Sequence, residues 1–145
     1  MQDVLCICVA DGKTPKSGHL FAGCTEFKVI SIDPLMSKKY VGKSGHKNLT
    51  CIDDVVENAN LGETEKYKMV VLVGIHSHAN IQNLWDKLVK EEKPILCLSI
   101  PCCGGFVHGP KQDPEEEFKE RGIFSDKNKI LIWHKNLSKY DQKIN

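Results

Sequence analysis

The sequence predicts an α/β chain: a mostly parallel sheet of about six strands with helices on both faces, stacked as a three-layer sandwich. Two continuous apolar runs carry this reading, Met69–Ile75 and Ile95–Ile100, each with the composition of a strand buried on both sides. Strand-like runs also alternate with helical or connecting segments along the chain. That alternation favours parallel pairing through right-handed crossovers. The length of 145 residues suits one domain with a substantial core, here residues 1–135 with a polar tail over 136–145.

Val4–Val9 is a continuous apolar run closed by Ala10, Asp11 and Gly12, a first strand entering a loop. A first helix is expected from Thr14 as N-cap and Pro15 at its opening position. Phe27–Ile32 reads as the second strand, stopped by Asp33 and Pro34. A connection rich in lysine and glycine fills 38–48, and Leu49–Ile52 is a shorter third strand. Residues 55–66 are expected to form a short helix, followed by a fourth strand over Lys68–Ile75. From Asn80 to Glu92, Ile81, Leu84, Trp85, Leu88 and Val89 recur at helical spacing, with Asn80 as cap. Ile95–Ile100 is strand five, Pro114–Arg121 a second helix with its glutamates at the favourable N-terminal end, and Lys129–His134 the last strand. The whole pattern is Rossmann-like.

Composition narrows the function classes. A charged fraction of 27% and a formal net charge of +1 exclude a disordered acidic tail and a strongly basic nucleic-acid binder. Arg121 is the sole arginine, so any phosphate contact rests on lysines such as Lys13, Lys16 and Lys111. The apolar runs fall well below the roughly 20 residues that cross a bilayer. Seven cysteines, mostly at strand positions and without a secretory segment, read as reduced thiols of a cytoplasmic protein.

Candidate chemistry gathers at the strand ends. Asp33 closes strand two, 22 residues beyond Asp11, near the offset of roughly 20 at which an acid meets the ribose of a nucleoside cofactor. The alternative is an aspartate capping the turn before proline. Residues 10–18 hold small side chains that permit close approach, yet match neither G-x-G-x-x-G nor the P-loop spacing. Nucleoside triphosphate hydrolysis is therefore disfavoured. Asp53 and Asp54 follow strand three, where a carboxylate can accept from an amino group.

His76, Ser77 and His78 follow strand four, and Cys102 and Cys103 follow strand five. Metal ligation, acid–base chemistry and pocket lining are all open to this set. Adjacent cysteines are poor joint ligands for one ion and no C-x-x-C pair is present, so no metal is assigned. Cys102 could also act as a nucleophile with His76 as its base. The scattered His19, His46, His108 and His134 read as structural or exposed, Trp85 as core, and Trp133 as either a stacking platform or a packing residue.

The stretches Val73-Gly74-Ile75-His76-Ser77-His78 and Ile100-Pro101-Cys102-Cys103-Gly104 resemble motifs of the class I S-adenosylmethionine-dependent methyltransferases, in the branch of the tRNA ribose 2′-O-methyltransferases. That branch carries an H-x-C-G motif after strand four and C-C-H after strand five. The resemblance spans about residues 3–108 and implies S-adenosylmethionine as cofactor, held by Ala10, Asp11, Gly12, Asp33, Asp53, Gly74 and His76. It also implies His76 as the group that orients or deprotonates the acceptor, with Cys102 the second catalytic candidate. The departures are a first loop without G-x-G, Ser77-His78-Ala79 after the motif histidine, Gly104 in place of the final histidine, and one terminal strand where the family has two. The expected activity is methyl transfer to RNA, with an activating protein subunit as a further partner and no membrane. Two alternatives stand beside it: a catalytically silent, partner-binding relative, and a metal- or thiol-dependent hydrolase at the His76, His78, Cys102 and Cys103 cluster.

Overall fold

The computed structural model describes residues 3–43, 45–102, 109–123 and 127–138. Eight strands form one sheet: β1 (Val4–Val9), β2 (Lys28–Ile32), β3 (Gly42–Lys43), β4 (Leu49–Ile52), β5 (Met69–Ile75), β6 (Ile95–Ile100), β7 (Glu116–Lys119) and β8 (Lys129–Lys135). Their order is β3-β4-β2-β1-β5-β6-β8-β7. The five strands β4, β2, β1, β5 and β6 run parallel, while β3 and β8 are antiparallel to their neighbours and β7 is antiparallel to β8. The sheet is thus mixed, with a parallel centre.

Continuous apolar sequence marks the central strands because both of their faces are covered. Along β1, Leu5, Ile7 and Val9 enter one core cluster and Val4, Cys6 and Cys8 the other. This is the two-residue period of a strand buried on both sides. The two α-helices are α1 (Lys16–Cys24) and α2 (Gln82–Lys90), each of nine residues. α2 lays Trp85 and Leu88 on the first cluster, α1 lays Ala22 on the second, and turns carrying Ala59, Leu61, Met36 and Tyr40 cover the remainder. The expected three-layer sandwich with helices on both faces is therefore corrected: two short helices and irregular segments do not make helical layers.

Local chemistry explains the missing helices. In 55–66, Gly62 takes a φ of 68° and donates its N–H to the Asn60 side chain at 2.9 Å. Such an asparagine-closed turn breaks a helix, leaving a 3₁₀ turn at Thr64–Lys66. The second expected helix, 114–121, is instead the edge strand β7, paired with β8 from Glu116↔Ile132 to Lys119↔Lys129. Ladder pairing in this hairpin overrides the helical preference of its glutamates. Two strands, not one, consequently follow β6. Trp133 is buried in β8 and its indole N–H donates to the Gln112 carbonyl at 2.7 Å, so it packs.

The C-terminus of α2 is tied to the Thr64 turn by a buried ion pair. Lys93 meets Glu91 at 2.8 Å with both side chains about nine-tenths buried. Lys93 also donates to the carbonyls of Thr64 and Tyr67, and Glu91 accepts the Thr64 hydroxyl at 2.7 Å. Lys93→Met leaves that carboxylate buried and unpaired, and is expected to lower stability by about 3–5 kcal/mol. Urea unfolding measures the loss, and the double variant Glu91→Leu/Lys93→Met should recover part of it.

Candidate functional site

The chain runs from β1 outward to β2 and β4, then returns across the sheet to β5 on the other side of β1. The strand order therefore reverses between β1 and β5. Ligands of open, mostly parallel sheets bind beyond the carboxyl ends of the strands at such a reversal. Of the four non-glycine residues with left-handed backbone among the described residues, two stand at these strand ends, Ala10 (φ 51°) and His76 (φ 53°). Such conformations are uncommon for side-chain-bearing residues and cluster at functional sites.

The parallel ladders extend past the strand ends. Asp11 N–H donates to Ile32 O at 3.3 Å, Asp33 N–H to Ile52 O at 3.1 Å, and His76 N–H to Ile100 O at 2.8 Å. They hold the loops after β1, β2 and β5 in register around a cavity of about 420 Å³, within the size range of small-molecule sites. Ala10, Asp33, Leu35, Asp54, Val55, Glu57 and His78 are among its walls. A smaller hollow of about 310 Å³ shares Val56, Glu57 and Asn80 with it and continues toward α2.

Each carboxylate near the site has a definite job. Asp33 is buried and accepts the N–H groups of Gly12 at 2.8 Å and Leu35 at 2.7 Å. The second bond is the capped turn before proline that the sequence left open, and the first ties the loop after β1 to the end of β2. Gly12 supports that clasp with a φ of 85°. Asp11 faces α1 instead, accepting from Ser17 N–H at 2.9 Å, Gly18 N–H at 2.8 Å and the Ser31 hydroxyl at 2.8 Å. The helix is thus capped by Asp11 from the loop, while Thr14, the expected cap, makes no such bond and Pro15 occupies the cap position. Asp53 is ion-paired with Lys38, whose ammonium holds its carboxyl below the usual carboxylate range. The acid that lines the cavity after β4 is its neighbour Asp54.

The residues after β5 and β6 also sort themselves. Gly74 lies in β5 against Val9 and Ser77, where a Cβ would meet the Ser77 Cβ at 3.2 Å. It allows the following turn to fold close and does not line the cavity. His76 is exposed at the strand end. His78, not His76, meets Cys102, with Nε2 and Sγ 2.8 Å apart, and the thiol also reaches the His76 carbonyl at 3.9 Å. Cys103, Gly104 and His108 lie outside the described residues. Among the described residues, no group of three histidine, cysteine or acidic side chains is placed to hold a metal ion, and no helix is long and apolar enough to cross a membrane. The sequence names both aspartates after β4 and both histidines after β5 as candidates; that Asp54 rather than Asp53, and His78 rather than His76, line the cavity is decided by the turn geometry.

Gly18 sets how closely α1 approaches the sheet. A Cβ there would stand 2.8 Å from the Ser31 Cβ and 3.2 Å from Leu49 Cδ1. Alanine in a helix ordinarily gains about 1 kcal/mol over glycine, yet Gly18→Ala should destabilise by about 1–3 kcal/mol through overpacking. Chemical denaturation decides the sign, and a stabilised variant would refute the close-approach argument. Comparison with known proteins returns no matching family model, no matching curated protein and no matching solved structure.

Proposed function

We propose that the chain binds S-adenosylmethionine in the crevice beyond β1, β2 and β4 and transfers its methyl group to an acceptor on RNA. The observation that carries this reading is the cavity lining, which among the described residues holds three carboxylates, Asp33, Asp54 and Glu57, and no lysine or arginine. Phosphate is repelled by that set. The positive end of α1, where a phosphate would otherwise dock, is already occupied by Asp11. A nucleoside that carries a sulfonium, an ammonium and one carboxylate, and no phosphate, has a net positive charge that complements this lining.

The remaining chemistry agrees. Each Asp33 oxygen accepts one backbone N–H, and a carboxylate has about four acceptor positions, so capacity remains for ribose hydroxyls. Leu35 and Val55 line the cavity while 67% and 39% exposed. They offer a nucleobase an apolar wall. The two strands after β6 meet what the methyltransferase resemblance implies for the C-terminal part of the sheet.

The RNA acceptor is supported by the lysines on the rim. Lys13, Lys16 and Lys39 are exposed, and the bond from Ser37 N–H to the Lys13 carbonyl at 3.0 Å brings their two segments side by side. In the transfer, a lone pair on the acceptor forms the new bond to the methyl carbon while sulfur keeps the electron pair of the bond that breaks. Alignment of the two reactants can supply about 7–11 kcal/mol of the barrier reduction. His76, exposed at the end of β5, is assigned to orient the acceptor or take its proton.

Isothermal titration tests the reading. Wild-type protein should bind S-adenosylmethionine and S-adenosylhomocysteine saturably and give no heat with ATP or NAD. Asp33→Ala should abolish binding. Leu35→Ser, an uncharged change at an exposed position, should weaken it by about tenfold, or 1.4 kcal/mol, without moving the melting temperature. Wild-type protein silent toward both sulfur ligands overturns the proposal.

A further inference from the structure

We propose that Cys102 is a peroxide-reactive thiol activated by His78, a modification site beside a wall residue of the crevice. The pair is built by two strand ends: His78 follows β5, Cys102 follows β6, and the parallel pairing of Gly74↔Ser99 and Ile75↔Ile100 carries both loops out at one level. His78 Nε2 stands 2.8 Å from Cys102 Sγ. The His76 carbonyl at 3.9 Å holds the sulfur from a second side. A thiol within hydrogen-bonding reach of an imidazole has a base to receive its proton, which is the geometry that generates a nucleophilic thiolate.

The other described thiols lack this arrangement. Cys6 and Cys8 face one another in the core at 4.0 Å, and that contact together with burial pushes the Cys8 thiol far up. Burial pushes Cys51 up to about 11, with the charge of Asp11 adding to it, and Cys97 up to about 12. Cys8, Cys51 and Cys97 stay protonated at neutral pH, and all four core thiols are buried out of reach of solvent. Cys24 is exposed but pairs with no imidazole among the described residues. Cys102 is half-buried, less exposed than Cys24, and has one. Accessibility and activation therefore point to different cysteines, and the two explanations of reactivity can be separated.

The reaction balances with a hydroperoxide as the only co-reactant. The thiol proton passes to His78 and the thiolate attacks one peroxide oxygen, forming the S–O bond as the O–O bond breaks. Sulfur is oxidised to sulfenic acid, the peroxide is reduced, and the departing hydroxide takes the proton from the imidazolium to leave as water. The proposal stands apart from the cofactor reading, since its readout is the chemistry of one thiol.

The test traps sulfenic acid with dimedone after hydrogen peroxide treatment at pH 7, read at each cysteine by peptide mass spectrometry. A Cys103→Ser background assigns the adduct to one thiol. Cys102 should label at least about tenfold faster than Cys24 in the folded chain, and His78→Asn should bring it to the rate of Cys24. In urea the two cysteines of the parent chain should react alike, so the proposal remains decidable even if the His78 variant fails to fold. Equal rates in the folded chain, or a His78→Asn variant that folds and labels unchanged at Cys102, overturn it.

Discussion

The carboxylate of Asp11 joins three parts of the molecule that would otherwise have no common anchor. Its oxygens take two N–H groups from the first turn of α1 and the hydroxyl of Ser31 in β2, directly after β1 has ended. The first N–H groups of a helix have no partner within it, and the negative charge also favours the helix dipole. Bonds of this charged kind contribute about 1.5–3 kcal/mol each. Because Gly18 lets α1 lie against Ser31 and Leu49, the bond lengths at Asp11 and the packing of α1 are a single constraint. Helix, loop and sheet edge are fixed together.

Asp33 does the corresponding work one strand further out. By accepting from Gly12 it folds the loop after β1 over the end of β2, and this holds Ala10 in its left-handed conformation. Backbone of this kind carries about 1–3 kcal/mol of strain and persists only where the surroundings determine it. His76 shows the same pattern across the strand-order reversal, held by its bond to the Ile100 carbonyl. The two strand ends flanking the crevice are therefore both strained and both pinned. Rigid walls of this sort suit a preformed ligand site.

The parallel centre of the sheet was legible because buried strands leave a continuous apolar signature. Val4–Val9, Leu49–Ile52 and Ile95–Ile100 form with the limits their sequences suggest. The amphipathic spacing of Trp85 and Leu88 likewise marked α2. What the sequence could not express was pairing at a distance. Glu116–Lys119 looks helical in isolation, and only β8 beside it makes it a strand. At the site, the acids after the strands were visible as a group, while their division of labour was not. Asp53 turns to Lys38 and Asp54 to the cavity, and Cys102 finds His78 rather than His76. Each of these choices is made by a turn of one or two residues, below the resolution of any periodicity.

A net charge of +1 conceals a separation of charge within a short stretch of chain. Asp11 is consumed by α1 and Asp33 faces the crevice, while Lys13 and Lys16 between them in sequence are exposed at the rim. Lys39 adds to that rim, and Lys38 there is offset by Asp53. On the proposed reading, this arrangement lets two partners of opposite charge approach the same strand ends without competing, a cation inside and a polyanion outside. The low dielectric of a walled crevice strengthens the inner preference, whereas the exposed lysines act through a field that salt screens within roughly 8 Å at physiological ionic strength. The proposed inner selectivity would thus be a property of the fold, and the proposed outer binding would depend on the ionic conditions.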